Sequence, residues 1–237
     1  MNKIGDLIIN GYGSANGGEF DRVVINGKGT VNGQVNCTLL ECNGSGAITG
    51  DVKSEKVKIS GNGKISGNVV SQNIIIEGGA SILGGAKTSK MNIQGKATIG
   101  GYVKGEELRV QGSVAIGGDC EVEVFQLEGQ FSIGGLLSAE EIDIETFGAC
   151  KAHEIGGKSI RVKQKSSVLL SLLKTIKSVT LETELIEGDD IELENTKAKI
   201  VRGTHIVVGE NCEIDLVEYK ETFRVDKNGR VKESVKI

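Results

Sequence analysis

The segment of this chain that most resembles a chemical site is AHEIGGKS, residues 152–159. It matches a phosphate-binding loop in which alanine replaces the first glycine, and the lysine of the pattern is Lys158. Such a loop must lead into a helix, because N–H groups at the start of that helix bind the phosphate. Here Ile160 and Val162 follow with the alternation of a strand. The sequence therefore predicts that Lys158 lies at a corner between strands and that the segment binds no nucleotide.

The glycines of residues 23–33, VVINGKGTVNG, could also form a phosphate-binding loop. Their spacing is G-x-G-x-x-x-G, which differs from the dinucleotide-binding pattern G-x-G-x-x-G. A nucleotide loop occurs once in a chain, whereas the two outer glycines, Gly27 and Gly33, recur at the same spacing in eight units. We therefore expect Gly27 and Gly29 to flank a corner of the chain that needs a positive φ angle.

Other residues suited to catalysis or metal binding are few. His153 and His205 are the two histidines, and neither is surrounded by metal-ligand spacing. Asp189 and Asp190, beside Glu187, could bind a cation or act as a base, but such acidic pairs are more common in turns. The sequence thus indicates no catalytic residue, no metal site and no cofactor. A ligand-binding or enzymatic site in the C-terminal third stays open as the alternative.

Cysteine usage and charge indicate the class of protein. The five cysteines are odd in number and contain no C-x-x-C pair, which favours reduced thiols in a cytoplasmic protein. Their spacing predicts that Cys42, Cys120, Cys150 and Cys212 face inward as small core residues. A net charge of −4 argues against nucleic acid as a partner. The sequence shows no signal peptide and no apolar run of about 18 residues, so no membrane span is expected.

A repeat of about 17 residues organises the first part of the chain. A reference glycine recurs at Gly11, Gly27, Gly44, Gly61, Gly78, Gly95, Gly112 and Gly129. An apolar residue or cysteine stands two places before each of these positions, at Ile9, Ile25, Cys42, Ile59, Ile76, Ile93, Val110 and Leu127. Alternation between glycine corners indicates three short strands in each unit.

Stacked units of this kind bury one continuous apolar core, so the predicted fold class is an all-β parallel β-helix, or solenoid, of roughly triangular section. About nine coils, about 4.8 Å apart, would give a length of about 43 Å. Left-handed hexapeptide helices, which include acyltransferases, need about 18 residues in a coil. The sustained shorter step of this chain favours a right-handed helix. Polar residues before the reference glycines, beginning with Asn10, Asn26 and Asn43, are expected to stack as an amide ladder.

The regular repeat weakens near residue 155, and we divide the chain there. Residues 1–155 form a β-helix of about nine coils, and residues 156–237 form degenerate coils with a charged tail. Within the second part, residues 166–177 read SSVLLSLLKTIK and carry apolar residues at the spacing of one face of a short helix. Those residues are Leu169, Leu172, Leu173 and Ile176. Such a helix would pack over an open side or end of the solenoid, or would dock on a membrane or a partner.

These features resemble the bactofilins, bacterial polymer-forming cytoskeletal proteins, which also have short glycine-rich coils and no catalytic set. The segments IEGDDIELENTKAKIVRG and VVGENCEIDLVEYK, within residues 186–220, are similar to the C-terminal part of the longer bactofilin-like proteins of Firmicutes. The resemblance implies a right-handed β-helix that polymerises without nucleotide into non-polar filaments. It also implies that the protein positions partners for cell shape, envelope growth or motility. Many bactofilins carry a membrane-binding peptide before the first coil, but here that coil begins by Leu7, which leaves only a peripheral contact with the membrane.

The first coil offers a physical reason to expect self-assembly. A parallel solenoid ends in a strand whose outer N–H and C=O groups lack a neighbour, and proteins protect such edges with charge, proline or a helix. Leu7, Ile8 and Ile9 begin the ladder without proline, and Ile8 and Val24 are expected to point outward as an apolar patch. We therefore expect this end to stack on the same end of a second subunit. The protein itself, and proteins at the cell envelope, are the expected partners.

Overall fold

The computed structural model describes residues 5–164 and 181–237. The chain forms two compact units, residues 1–118 and residues 119–237. All regular secondary structure in the described residues is β-strand, and neighbouring strands pair in parallel. The predicted all-β parallel solenoid, with coils of about 17 residues, is confirmed, and its right-handed sense stays a prediction. The predicted helix at 166–177 lies outside the described residues.

The first unit is built from ten strands that follow one another around successive coils. Their bounds are β1 Leu7–Ile9, β2 Tyr12–Ile25, β3 Lys28–Cys42, β4 Ser45–Ile48, β5 Val52–Ile59, β6 Asn62–Ile65, β7 Val69–Ile76, β8 Gly79–Ile82, β9 Ala86–Ile99 and β10 Val103–Ile116.

The second unit continues with nine strands in its described part. Their bounds are β11 Cys120–Glu121, β12 Val124–Ile133, β13 Leu136–Thr146, β14 Cys150–Lys151, β15 Glu154–Gln164, β16 Leu181–Leu193, β17 Thr196–Val208, β18 Glu213–Val225 and β19 Arg230–Lys236.

The core of the first unit consists of single files of side chains, as the repeat predicts. Pairing places Ile25 directly beside Ile9 on one side and Cys42 on the other, and the same register continues coil by coil. The complete file is Ile9, Ile25, Cys42, Ile59, Ile76, Ile93 and Val110, each at most 8% exposed. Because each residue is covered by its equivalents in the next coils, no coil needs a core of its own.

Corners inside the longer strands explain how a three-sided coil contains so few separate strands. In β5, the alternation of buried and exposed residues breaks at Glu55 and Lys56, which both face solvent. Ser54, just before this corner, is buried, and its hydroxyl lies 2.8 Å from the carbonyl oxygen of Lys56. Ser71 and Thr88 repeat this contact in the next two coils, at 3.0 and 2.9 Å. The buried hydroxyl therefore bonds to a carbonyl group that the corner turns out of the strand.

Gly27 and Gly61 are required by close approach between coils, and the expectation of a positive φ angle at Gly27 and Gly29 is wrong. Neither Gly27 nor Gly29 is among the residues with positive φ. Other reference glycines do adopt positive φ, namely Gly11, Gly95, Gly112 and Gly129. A Cβ atom on Gly27 would lie 2.0 Å from the carbonyl oxygen of Gly11, and one on Gly61 would lie 2.0 Å from that of Gly44. One coil therefore rests with its backbone against the backbone of the previous coil, where any side chain would collide.

The coils of the second unit change length while the files of inward residues continue. The step from Leu137 to its partner Ile155 is close to the regular length, but the step from Ile155 to Ile186 is almost twice as long. The next two steps, to Val201 and then to Val217, are shorter than a regular coil. The long step contains residues 165–180, which lie outside the described part. This variation is the irregular spacing that the sequence shows beyond residue 155, although the division of the chain there stays a prediction.

Two asparagines form the shortened corners of this unit. Asn195 and Asn211 adopt φ angles of 49° and 55°, a conformation that asparagine tolerates better than most residues. The amide of Asn211 donates a hydrogen bond of 3.1 Å to the side-chain oxygen of Asn195. Leu193 and Thr196, which flank the first of these corners, are both fully buried. The left-handed corner thus replaces the longer glycine corner of the regular coils.

Candidate self-assembly interface

The first strand of the solenoid is paired on one side only within the part of the chain that the structure describes. In β1, Leu7, Ile8 and Ile9 pair with the strand segment Val23 to Ile25 of β2. The carbonyl oxygen of Ile9 accepts a hydrogen bond of 3.0 Å from the N–H of Asn26. No described strand pairs with the opposite edge of β1. This edge offers backbone donors and acceptors to an added strand.

The four residues predicted for the interface differ in exposure. Ile8 is 53% exposed, whereas Ile9 is 8% exposed and begins the inner file. Val24 is only 7% exposed, so the expected outward patch of Ile8 and Val24 is wrong for Val24. In register, Val24 lies between Ile8 and Glu41, and each of these neighbours covers one side of it. Ile8 stays exposed because it has a paired neighbour on one side only.

Tyr12 is a further exposed apolar residue of the first coil, and the sequence interpretation did not identify it. Its side chain is 83% exposed, and the ammonium group of Lys28 lies 5.3 Å from the centre of its ring. Lys28 and Ser45 occupy the equivalent position in the next two coils. The available signal was an aromatic residue at a polar position, in a chain with 3% aromatic residues. Tyr12 and Ile8 together give the first coil an exposed apolar surface.

An amide ladder runs to the same end of the solenoid, as predicted. Asn43 donates a hydrogen bond of 3.0 Å to the side-chain oxygen of Asn26, and Asn26 donates one of 2.8 Å to that of Asn10. Further along the column, the hydroxyl of Ser60 donates to the carboxylate of Glu77 at 2.8 Å. The ladder ties successive coils together on the surface and brings Asn10 beside the edge of β1.

The second predicted surface, formed by Leu169, Leu172, Leu173 and Ile176, lies outside the described residues. Its role as a packing or partner-binding helix stays a prediction. The flanking strands end at Gln164 and begin at Leu181, within one step of the ladder.

The residues that could form a nucleotide site lie in a strand, as the sequence predicted. Lys158 and Ser159 are exposed in the middle of β15, where the strand turns a corner. The ammonium group of Lys158 lies 2.7 Å from the carboxylate of Glu140. The segment continues as strand β15, so the backbone N–H groups that a phosphate-binding loop requires are engaged in strand pairing.

The other candidates for chemistry are exposed and lie apart. The imidazole of His205 contacts the hydroxyl of Thr222 at 3.0 Å and the carboxylate of Glu221 at 3.5 Å, but its side chain is 43% exposed. His153 lies 3.5 Å from Glu154 on a different face. Asp189 and Asp190 form an exposed corner within β16. Within residues 5–164 and 181–237, no group of three or more His, Cys, Asp or Glu could hold a metal ion.

The cysteines predicted to face inward are buried. Cys42, Cys120, Cys150 and Cys212 lie in the core, and Cys37 is partly exposed. Burial raises the pKa of Cys120 to about 12 and the pKa values of Cys150 and Cys212 to about 11. Because the thiolate is the nucleophile, these thiols are unsuited to catalysis near neutral pH.

The cavities of the surface are open valleys between neighbouring columns of outward side chains. One of about 790 Å³ lies along Lys53, Lys87 and their equivalents, with Ser54 and Ser71 at its floor. Another of about 900 Å³ lies in the second unit. Valleys of this kind follow from stacking, since each outward column repeats from coil to coil. The described part of the chain contains no helix that could cross a bilayer.

Comparison with known proteins supports the resemblance. Residues 1–87 match the family model of the bactofilins, described as polymer-forming cytoskeletal. This match confirms the resemblance to that family and includes the whole candidate interface of the first coil.

Two curated relatives come from Bacillus subtilis strain 168. The uncharacterized protein YhbE is 41% identical over 103 residues, which are 43% of this chain and 43% of that protein. The uncharacterized protein YhbF is 37% identical over 84 residues, which are 35% of this chain and 34% of that protein. The matches thus cover less than half the length of either relative. No solved structure matches this chain.

Proposed function

We propose that this protein is a structural cytoskeletal protein that assembles with itself, without nucleotide, into filaments or oligomers. The observation that carries the proposal is the strand β1, which is paired on one side and exposes Ile8, with Tyr12 exposed at the start of β2 in the same coil. The bactofilin match over residues 1–87 supports it, because that family is described as polymer-forming. The assembly scaffolds partner proteins in the cytoplasm for cell shape, envelope growth or motility, with a peripheral contact at the membrane left open.

One interface consists of the β1 edge of one subunit stacked on the β1 edge of another. Because this two-fold contact closes on two subunits, a filament also needs the opposite end of the solenoid to stack on its mate. Main-chain hydrogen bonds between the two edges supply affinity, as in other cases where a strand is added to a sheet. Because Ile8 is 53% exposed, its burial in the contact contributes about half of the roughly 1.5–3 kcal/mol of a fully buried side chain. The predicted helix at 166–177 is a second surface, which packs over an open side or end of the solenoid or docks on a membrane or a partner.

The test is sedimentation and electron microscopy of the pure protein without nucleotide, for the native chain and for Ile8→Lys. Ile8 is exposed, so lysine does not disturb the core, but it brings a charge into the contact. We expect the concentration needed for assembly to rise at least about tenfold, which corresponds to about 1.4 kcal/mol. Ile9→Lys, at the first position of the inner file, should abolish assembly and leave a folded monomer by circular dichroism.

Leu83→Lys is the matched control, because Leu83 is 54% exposed and lies away from the first coil. It should assemble like the native chain. If Ile8→Lys and Ile9→Lys both form unchanged filaments, the β1 edge is not the interface. A native protein that stays monomeric at every salt and protein concentration would contradict self-assembly itself and favour a ligand-binding solenoid.

A further inference from the structure

One face of the second unit carries charges that alternate in sign from coil to coil. Each coil contributes a rung of two outward residues, separated by one residue that lines the floor between them. The five rungs are Lys151 and His153, Glu182 and Glu184, Lys197 and Lys199, Glu213 and Asp215, and Arg230 and Lys232. We call this surface the striped face and number its rungs from 1, at Lys151, to 5, at Arg230.

Ion pairs within the striped face account for its stability in a single molecule. Lys199 of rung 3 lies 2.7 Å from Glu184 of rung 2, and Lys232 of rung 5 lies 2.7 Å from Asp215 of rung 4. These side chains remain 50–79% exposed, so each charged group keeps sides that face solvent. Pairing inside the face therefore leaves its charges accessible to a second set of partners.

The shape of the face also suits a second set of partners. The two outward columns flank a valley of about 900 Å³, whose floor includes Ala152, Ala198 and Ile214. Rungs 2 to 5 each carry two charges of the same sign, and rung 1 carries the positive charge of Lys151. A cationic side chain that enters the valley at rung 2 meets two carboxylates, Glu182 and Glu184. An anionic side chain at rung 3 meets two ammonium groups. Each rung is thus a receptor for a side chain of the opposite charge.

We propose that the striped face docks against the striped face of a second copy of this chain, around a two-fold axis. In this arrangement rungs 1, 2, 3 and 4 of one copy face rungs 4, 3, 2 and 1 of the other, so every positive rung meets a negative one. We assign the register to these four rungs because each lies on a strand paired on both sides, whereas rung 5 lies on β19, which pairs only with β18 in the described residues.

Charge complementarity selects this occupant over others. A uniformly charged polymer, such as a nucleic acid or a polylysine segment, would be repelled by every second rung. The charges of the partner must change sign about every 4.8 Å along the axis. A second copy of this chain has that spacing, because its coils are the same distance apart. A two-fold contact uses the same surface on both copies and closes on itself.

The size of the contact indicates a weak, lateral association. Four rungs span about 14 Å along the axis, which is short for an interface that is stable alone. When many copies are held in one assembly, the contact repeats and its effect multiplies. The striped face would therefore join neighbouring assemblies side by side, and it does not depend on the β1 edge.

Two charge-reversal variants test the register. In the acidic variant, Lys197→Glu with Lys199→Glu, rung 3 becomes negative and would face the negative rung 2 of its mate. In the basic variant, Glu182→Lys with Glu184→Lys, rung 2 becomes positive and would face a positive rung 3. Neither variant should pair with itself, but an acidic and a basic variant should pair with each other. In the mixed dimer, the negative rung 3 of the acidic variant lies opposite the positive rung 2 of the basic variant.

The measurement is sedimentation equilibrium at high protein concentration, with all variants built on Ile8→Lys. At about 0.1 M salt, where the Debye length is about 10 Å, the parent should form dimers. At about 1 M salt the Debye length is about 3 Å, and the dimer affinity should fall at least about tenfold. Each reversal variant should stay monomeric, and the equimolar mixture should recover the parent dimer. Assembly of the chain with native Ile8 reports on the β1 edge, whereas recovery on mixing in the Ile8→Lys background reports on the striped face.

Lys56→Glu with Lys58→Glu is the matched control, since these lysines also lie two residues apart on one strand and Lys58 pairs with Glu77 of the next coil at 3.0 Å. It should pair like the parent. If circular dichroism shows that a reversal variant is unfolded, Lys197→Gln with Lys199→Gln replaces it and should weaken dimerisation. Folded reversal variants that dimerise like the parent, or that fail to recover on mixing, would overturn the proposal.

Discussion

At the scale of single residues, Thr146 places an unpaired polar group in the core. It is 1% exposed, and its hydroxyl has no hydrogen-bond partner in the described residues. It occupies the position of the reference glycine, next to Gly129 in register. A buried hydroxyl without a partner costs folding free energy, because it loses its bonds to water.

Thr146→Val should therefore stabilise the protein. Valine keeps the shape of threonine and removes the unpaired hydroxyl, which should add about 1 kcal/mol to the free energy of unfolding. For a chain of this size the melting temperature should rise by about 2–4 °C in calorimetry. Thr146→Ser keeps the hydroxyl and should show no gain; a melting temperature that falls in Thr146→Val would mean that the hydroxyl has a partner.

The buried thiols predict how stability depends on pH. Burial raises the pKa of Cys120 from 9.0 to about 12, with a smaller contribution from the carboxylate of Glu121. The unfolded thiol ionises first as pH rises, so the contribution of Cys120 is complete below about pH 9 and is lost as pH approaches 12.

Urea unfolding at about pH 8 and about pH 10.5 should show this loss, about 2 kcal/mol of which comes from Cys120. Cys120→Ala lacks the titrating thiol, so its stability should fall less over the same interval. An equal fall in both proteins would show that the thiol of Cys120 has the same pKa in the folded and unfolded states.

At the scale of strands and coils, the sequence predicted the files of inward residues because their spacing is set by the repeat. It did not predict why the reference glycines are needed. Spacing shows that glycine recurs, but both a positive φ angle and a close backbone contact require glycine. The backbone conformation and the distance between coils distinguish these two causes. Gly61 has no positive φ angle, and the neighbouring coil leaves no room there for a Cβ atom.

Gly61→Ala should accordingly be strongly destabilising. The added methyl group would lie 2.0 Å from a backbone oxygen, which cannot move without disturbing the pairing of the coil. We expect a loss of more than about 3 kcal/mol in chemical unfolding, within the range found for overpacked sites. Gly13→Ala is the control, since its Cβ would meet only a methyl group of Ile9 at 3.4 Å. A mild effect at Gly61 would show that the coils can separate locally.

At the scale of the whole molecule, the candidate site was predictable only in part. The sequence identified Leu7, Ile8 and Ile9 because the first unit of the repeat must contain the first strand of the solenoid. Tyr12 and the burial of Val24 depend on which side chains cover one another, and spacing alone does not contain that information. The striped face was hidden for another reason: its rungs are unevenly spaced along the chain, so their charges align only when the register is known.

The step from Ile155 to Ile186 has a consequence for how the register of the core is set. Strand pairing continues in register after this long step, as it does after the shorter steps from Leu137 to Ile155 and from Ile186 to Val201. Strand pairing responds only to where Gln164 ends one strand and Leu181 begins the next, and the number of residues between them does not enter. The register of the core is thus set by the strands on either side of this step, and each file keeps its neighbours across a step almost twice the regular length.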